Sequence, residues 1–204
     1  MIDYEKLFNN AMQSDLDKSL IRAVEAKDIL AIEKSIGDGA NVSYLGSKPL
    51  FLAAESGCLE VVKCLVEQGA DIHAGNEEAL QLAAKNGHLE IVKFLVEQGA
   101  KIHADDECAL RWASGKGYLD IVRFLVEQGA DLHADNDLAL QLAAKNGHLE
   151  VIKFLVEQGA DIHADDECAL RLAADEGHIE VVKYLVEQGA PIDVAKRHGT
   201  DAVK

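Results

Sequence analysis

The 204-residue sequence has little of the chemistry that several functional classes need. Its four cysteines form no CxxC pair, so neither a disulfide framework nor a cysteine zinc site is expected. Basic residues are scarce: 20 Lys and Arg stand against 36 Asp and Glu, and the net charge of −16 disfavours nucleic acid and anionic membranes as partners. No apolar run reaches the roughly 18 residues of a membrane span, and the start MIDYEKLFNN lacks the pattern of a signal peptide. We therefore expect an intracellular, cytoplasmic protein.

Catalytic signatures are also missing. The sequence has no Ser-His-Asp order, no glycine-rich phosphate loop and no HExxH helix. Paired acids do occur in the loops, as at 105–106 and 165–166, but these loops are expected to be solvated. The prediction is a protein that is not an enzyme and has no cofactor and no metal site.

What the sequence does contain is a repeat. The string LVEQGA begins at residues 65, 95, 125, 155 and 185, with a constant period of 30 residues. A degenerate copy, SIGDGA at 35–40, extends the same register towards the N-terminus. Self-similarity at such a period predicts a stack of equivalent units, each of which buries its apolar face only against its neighbours.

Each unit contains two short apolar-periodic segments that glycine ends. In the unit 78–107 the segments are Ala79 to Asn86 and Leu89 to Gln98. The glycines at 87 and 99 supply the positive φ that ends a helix. The stretch 101–107 is polar except for one isoleucine and is too short for another regular element. The unit is therefore predicted to be an antiparallel helix pair followed by a short loop.

The segment NGHLEIVKFLVEQGA at 86–100 resembles the helix–turn–helix part of ankyrin repeats. That family usually has units of 33 residues that open with T-P-L-H-x-A after a β-hairpin. Here the corresponding tetrapeptides, such as CALR at 108–111, retain the Leu but neither the Thr nor the His, and the loop is three residues shorter. The resemblance implies an all-α solenoid of stacked helix-turn-helix units, and the shortening implies loops that form no hairpin. Such 30-residue units are similar to the ankyrin proteins of giant DNA viruses of amoebae, which implies a viral protein of the host cytoplasm.

The register divides the chain into a series of predicted segments that form one continuous domain. A leading helix occupies 1–17 and a capping repeat, apolar only at a few positions such as Ile32, occupies 18–47. A C-terminal tail, the start of a truncated repeat, occupies 198–204. The five repeats between them are 48–77, 78–107, 108–137, 138–167 and 168–197. We expect 108–137 to be the least stable, because Ser114 and Gly115 replace Ala and Lys in its first helix.

Histidines and cysteines recur at the same period. Neighbouring layers of packed helices lie about 8–10 Å apart, too far for two ring nitrogens to reach one zinc ion at about 2.0–2.1 Å. The loop histidines are instead expected to brace adjacent loops; they are His73, His103, His133 and His163. Three more follow the interhelix glycine and are expected to donate to loop carbonyls; they are His88, His148 and His178. Cys108 and Cys168 are expected to be small buried residues in place of Thr.

The favoured function is a non-catalytic protein–protein interaction scaffold that binds a partner on a concave, acidic face of loops and inner helices. The alternative is a self-assembling protein in which copies pack against each other, although a monomer is favoured. The resemblance implies that contacts come from the loop ends and from the residues after each inner Ala-Ala pair. The acidic loops favour a partner with a basic segment. The candidate contact residues are Lys85, Asn86, Asp105, Glu107, Arg111, Lys116, Asp135, Asp137, Lys145, Asn146, Asp165, Glu167, Arg171, Asp175 and Glu176.

Overall fold

The structure, a computed structural model, describes residues 4–198 and the side chains of residues 12–198. Thirteen helices and no strand lie within these residues, which confirms the predicted all-α class. No helix in this part of the chain combines the length and hydropathy that a membrane span requires. The helices are α1 (Tyr4–Glu25), α2 (Ile29–Gly37), α3 (Tyr44–Ser56), α4 (Leu59–Glu67), α5 (Ala74–Lys85), α6 (Leu89–Glu97), α7 (Ala104–Lys116), α8 (Leu119–Glu127), α9 (Ala134–Lys145), α10 (Leu149–Glu157), α11 (Ala164–Asp175), α12 (Ile179–Glu187) and α13 (Ile192–His198).

The chain divides into two compact units. Unit 1 is residues 1–101 with α1–α6, and unit 2 is residues 102–204 with α7–α13. Within each unit the odd-numbered helices, here called inner helices, pack side by side, and each even-numbered outer helix packs against the inner helix before it. This is the stacked helix-turn-helix arrangement that the repeat predicts. One continuous domain over both units stays a prediction.

Burial follows the periodicity of the sequence. In the outer helix α8, Ile121, Val122 and Leu125 are fully buried, and their spacing places them on one helix face. In the inner helix α9 the pair Ala143-Ala144 is fully buried. Side chains this small let the backbones of neighbouring helices approach closely. The core of each unit therefore lies between its inner and outer helices.

The two ends of the chain depart from a regular repeat. Helix α1 runs without interruption across the predicted boundary between residues 17 and 18, so the leading helix and the first helix of the capping repeat are one element. Asp28 begins α2 by accepting the main-chain N–H of Ala31 at 3.0 Å. Ile32 is buried in the capping repeat as expected, whereas Leu30 is exposed. Residues 1–3 of the leading helix and 199–204 of the predicted tail lie outside the described residues.

Candidate protein-interaction surface

In each of the five inner helices from α3 to α11, the second to fourth residues within the bounds given above form a left-handed turn that the sequence pattern did not predict. The right-handed helix begins after this turn, and the turn is counted here with the loop before it. In unit 2 the residues 105–107, 135–137 and 165–167 all have φ between 50° and 64°. In unit 1 the residues 45–47 and 75–77 adopt the same left-handed region. Main-chain bonds from the third residue to the residue four earlier, such as Glu167 N–H to His163 O at 3.3 Å, close one turn of left-handed helix. The loops are tight and form no hairpin, as the shortened repeat predicts.

The third residue of each turn is an acid in four of the five loops, and a histidine four residues earlier binds it. His73 Nδ1 donates to Glu77 Oε1 at 2.7 Å, and His163 Nδ1 donates to Glu167 Oε1 at 2.8 Å. His103 makes the same contact with Glu107, and His133 contacts both carboxylate oxygens of Asp137. The loop histidines therefore brace their own loop through an acid, rather than joining two neighbouring loops directly.

Some of these acids also connect consecutive loops. Glu107 accepts the main-chain N–H of Asp131 at 3.1 Å, and Asp137 accepts that of Asp161 at 2.9 Å. Both acids are buried, with 3% and 4% of their surface exposed. The expectation that they are solvated is wrong, because the next loop covers them and supplies a backbone donor. In α1, Asp17 bonds to the N–H of Asn41 at 2.7 Å across the same separation of 24 residues.

A second set of bonds ties four of the five left-handed turns to the inner helix that follows. Gln81 Nε2 donates to the carbonyl of Asn76 at 2.8 Å, and Gln141 Nε2 donates to that of Asn136 at 2.7 Å. At the equivalent positions Arg111 donates to the carbonyl of Asp105 at 2.8 Å, and Arg171 donates to that of Asp165 at 3.5 Å. The guanidinium of Arg111 also lies 3.5 Å from Asp135 Oδ2. The two arginines are half-buried braces of the loops.

The family model described as ankyrin repeats (3 copies) matches residues 50–136 and 110–196. The chain belongs to the ankyrin repeat family. Ankyrin repeats are generally protein–protein interaction modules, and their fold is generally a non-catalytic scaffold.

Among solved structures, the ankyrin repeat chain is similar to the crystal structure of the human ASB11 ankyrin repeat domain. The TM-score is 0.76 and the identity is 24%, with 85% of this chain and 84% of that chain covered. This likeness concerns the fold alone. Comparison with curated protein sequences finds no significant match.

The candidate contact residues of this ankyrin repeat protein separate into three groups by burial. Glu107 and Asp137 are buried inside the loop connections and present almost no surface to a partner. The half-buried group is Lys85, Asn86, Arg111, Glu167 and Arg171. The exposed group is Asp105, Lys116, Asp135, Lys145, Asn146, Asp165, Asp175 and Glu176. The structure therefore leaves the first acid of each unit 2 turn open to solvent while it buries or half-buries the third.

The second set of histidines caps the neighbouring repeat. His148 Nε2 donates to the carbonyl of Gly115 at 3.1 Å, and His178 Nε2 donates to that of Lys145 at 2.9 Å. These acceptors belong to the C-terminal ends of inner helices rather than to loops, which corrects the predicted partner. Gly117 has φ 79°, and a Cβ on it would lie 2.6 Å from His148 Nδ1. Only glycine leaves room for this ring.

The cysteines and histidines show no sign of reactive or metal-binding chemistry in the described residues. Cys108 is buried as expected, and burial raises the pKa of its thiol, which lowers the fraction of nucleophilic thiolate. Cys168 is only half-buried, which corrects the expectation that it is buried like Cys108. Within residues 4–198 no group of three His, Cys, Asp or Glu side chains could hold a metal ion.

The acid bridges and the Gln or Arg braces were not predicted, although their spacing recurs along the sequence. An acid follows each loop histidine by four residues, and a Gln or Arg follows that acid by four more. The acids were interpreted as solvated because charged residues are rarely buried without a partner. The partner here is a histidine within the loop together with, for two of the acids, a main-chain N–H of the next one.

Proposed function

We propose that the chain is a non-catalytic protein-interaction scaffold whose partner binds the exposed loop acids of unit 2. The observation that supports this most directly is that Asp105, Asp135 and Asp165 recur at one position of three left-handed turns and are exposed. The turns around them are braced by hydrogen bonds, so the carboxylates are held on a preformed surface.

The contact set extends from the loop acids to the inner helices. Lys116, Lys145 and Asp175 lie exposed near the ends of α7, α9 and α11 and are retained as contacts. Glu107 and Asp137 are removed from the set because they are buried. A partner with a basic segment complements the three acids, and its association is expected to be steered by charge. The intracellular location and the likeness to viral ankyrin proteins remain predictions.

The test compares two variants with the same change of charge. The test variant combines Asp105→Asn, Asp135→Asn and Asp165→Asn. In affinity capture from native cells, this variant should recover less of the partner protein than the wild type, as measured by quantitative mass spectrometry. The matched control, Asp120→Asn, Glu150→Gln and Glu180→Gln, removes three exposed charges from the outer helices of the same unit. Equal recovery with both variants would contradict the proposed face.

Self-assembly is the alternative function. It predicts a concentration-dependent oligomer, whereas the scaffold predicts a monomer when no partner is present. Sedimentation velocity at micromolar concentration separates the two outcomes.

A further inference from the structure

A groove in unit 1 has a character opposite to that of the acidic loops. It has a volume of about 330 Å³ and lies between one face of α1 and the first residues of α3. The α1 residues follow helical spacing, so their side chains line the same side of the groove. The cationic and apolar residues that line it are Lys18, Ile21, Arg22, Tyr44, Leu45 and Lys48.

The charge of this groove is positive in a chain whose net charge is −16. Three cations line it and Glu25 is its one acid. Lys18 lies 3.7 Å from Asp15. Among the side chains of residues 12–198, no carboxylate lies within ion-pair distance of Arg22 or Lys48. Their charges are therefore available to a ligand.

Leu45 gives this groove an apolar contact that the other loops do not have. It is the first residue of its left-handed turn, with φ 48° and ψ 48°, and 65% of its surface is exposed. The same position holds Gly75, Asp105, Asp135 and Asp165, residue types that enter the left-handed region more easily. Leucine there costs backbone strain and leaves a large apolar side chain in water. Strained backbone positions cluster at functional sites, and exposed apolar patches often mark interaction surfaces.

We propose that this groove is a docking site for an acidic segment of a partner protein that carries a large apolar side chain. The apolar side chain packs against Leu45, Ile21 and the ring of Tyr44. Carboxylates of the segment pair with Arg22 and Lys48, and the guanidinium of Arg22 can bind a carboxylate through two parallel hydrogen bonds. The site is separate from the loop acids of unit 2 and does not depend on the function proposed for them.

The experiment uses the full chain and short fluorescent peptides that contain one Leu or Phe among Asp and Glu residues. Control probes are the same peptides with Asn and Gln in place of the acids, and a short single-stranded DNA. Fluorescence polarisation should show binding of the acidic peptides in preference to both controls. Equal binding of the amide peptides, or preferential binding of the DNA, would overturn the proposal.

Two variants assign the binding to the groove. Arg22→Glu with Lys48→Glu should weaken the acidic peptide by about tenfold, because two favourable pairs become repulsive. Lys34→Glu with Lys93→Glu, on the outer helices of the same unit, changes the charge equally and should leave the affinity within about twofold. A similar loss in both variants would show that the peptide responds to overall charge and would overturn the assignment.

The variant Leu45→Asn distinguishes a binding role of Leu45 from a structural one. Asparagine removes the apolar side chain, adds no charge and accepts the left-handed conformation, so the variant should be at least as stable as the wild type while losing the peptide. Unchanged affinity in this variant would overturn the proposal. If the wild type forms a concentration-dependent oligomer that Leu45→Asn dissociates, the occupant is a second copy and the proposed foreign partner is wrong.

Discussion

The left-handed turn of residues 45–47 and that of residues 105–107 share a backbone conformation and differ in every side chain. Leu-Gly-Ser occupies the first and Asp-Asp-Glu the second. In the second, Glu107 reaches His103 and the main-chain N–H of Asp131. In the first, Ser47 is equally buried, yet its hydroxyl has no hydrogen-bond partner in the described residues.

The difference shows that the turn itself does not require the buried acid. What the acid adds is a bond to its own histidine and, in Glu107 and Asp137, a bond to the next loop. A serine at this position is too short for either contact, and residue 43 is serine rather than histidine. The acid therefore strengthens the stacking of neighbouring repeats.

Removal of the buried acid should have the largest effect. Glu107→Ala should lower the free energy of unfolding by about 2–3 kcal/mol, because the buried acid loses its contact with His103 and its charge-assisted bond to the main-chain N–H of Asp131. Urea unfolding followed by circular dichroism measures the change. Asp106→Asn, next to it but exposed, is the control and should stay within about 0.5 kcal/mol. Equal losses in both variants would show that the bridge contributes nothing particular.

The parts of this fold that could be predicted from the sequence are those that depend on local signals. Glycines at 87 and 99 and the apolar spacing of each unit predict the helix Leu89–Glu97 and the part of Ala74–Lys85 that follows the left-handed turn at 75–77. The left-handed turns could not be predicted in this way. Whether Glu107 is buried depends on the position of Asp131 in the next repeat, and Asp or Glu in a loop is solvated in most contexts. Candidate contacts taken from the family pattern consequently included residues that the fold uses internally.

Introducing the histidine and the acid into the first loop tests whether this pair is what stabilises the other loops. Ser47→Glu with Ser43→His recreates the histidine and the acid at their usual spacing, and the main-chain N–H of Asp71 lies 24 residues after position 47. The double variant should be more stable than the sum of its single variants by about 1.5 kcal/mol, a coupling of the size expected for contacting residues. Ser47→Glu alone buries a carboxylate without its histidine and should be neutral or destabilising. A double-mutant cycle in urea tests this, and additive effects would show that the pair does not form.

A buried serine in one inner helix allows a similar comparison, with a smaller expected change in stability. Ser114 of α7 stands where α5, α9 and α11 have Ala84, Ala144 and Ala174, and its fully buried hydroxyl has no partner in the described residues. Ser114→Ala should therefore raise the free energy of unfolding by about 1 kcal/mol.

A serine whose hydroxyl is satisfied provides the control for Ser114. Ser56 donates to the carbonyl of Ala53 at 3.1 Å, and Ser56→Ala should change stability by less than about 0.5 kcal/mol. Gly115 is not a simple weakness of the same helix, since a Cβ on it would lie 3.3 Å from the Cβ of Leu142. Because the unit 108–137 is expected to be the least stable, we predict faster amide exchange over residues 110–116 than over 79–86 and 139–146, and Ser114→Ala should slow it. No change in exchange would indicate that the hydroxyl is not the cause.

The smallest change in stability is expected after the last loop, where the residue that would donate a main-chain N–H is a proline. Residue 191 occupies the position of Asp131 and Asp161, but it is a proline and has no N–H. Within the described residues Glu167 accordingly keeps its bond to His163 but accepts no main-chain N–H from the next loop. Pro191→Asp introduces a main-chain N–H, and its hydrogen bond should stabilise the fold by about 1 kcal/mol. Loss of the proline also increases the conformational entropy of the unfolded chain, which destabilises the fold by about 0.4–1 kcal/mol. The net change in stability should be only a few tenths of a kcal/mol.

A double-mutant cycle of Pro191→Asp with Glu167→Ala separates the energy of the new hydrogen bond from the effect of losing the proline. In the wild type Glu167→Ala should cost clearly less than Glu107→Ala, because it removes a histidine contact but no bridge between loops. In the Pro191→Asp background the same change should cost about 1 kcal/mol more, since the bridge then exists to be lost. If Glu167→Ala already costs as much as Glu107→Ala in the wild type, the histidine contact carries the stability. The connection between loops would then be incidental.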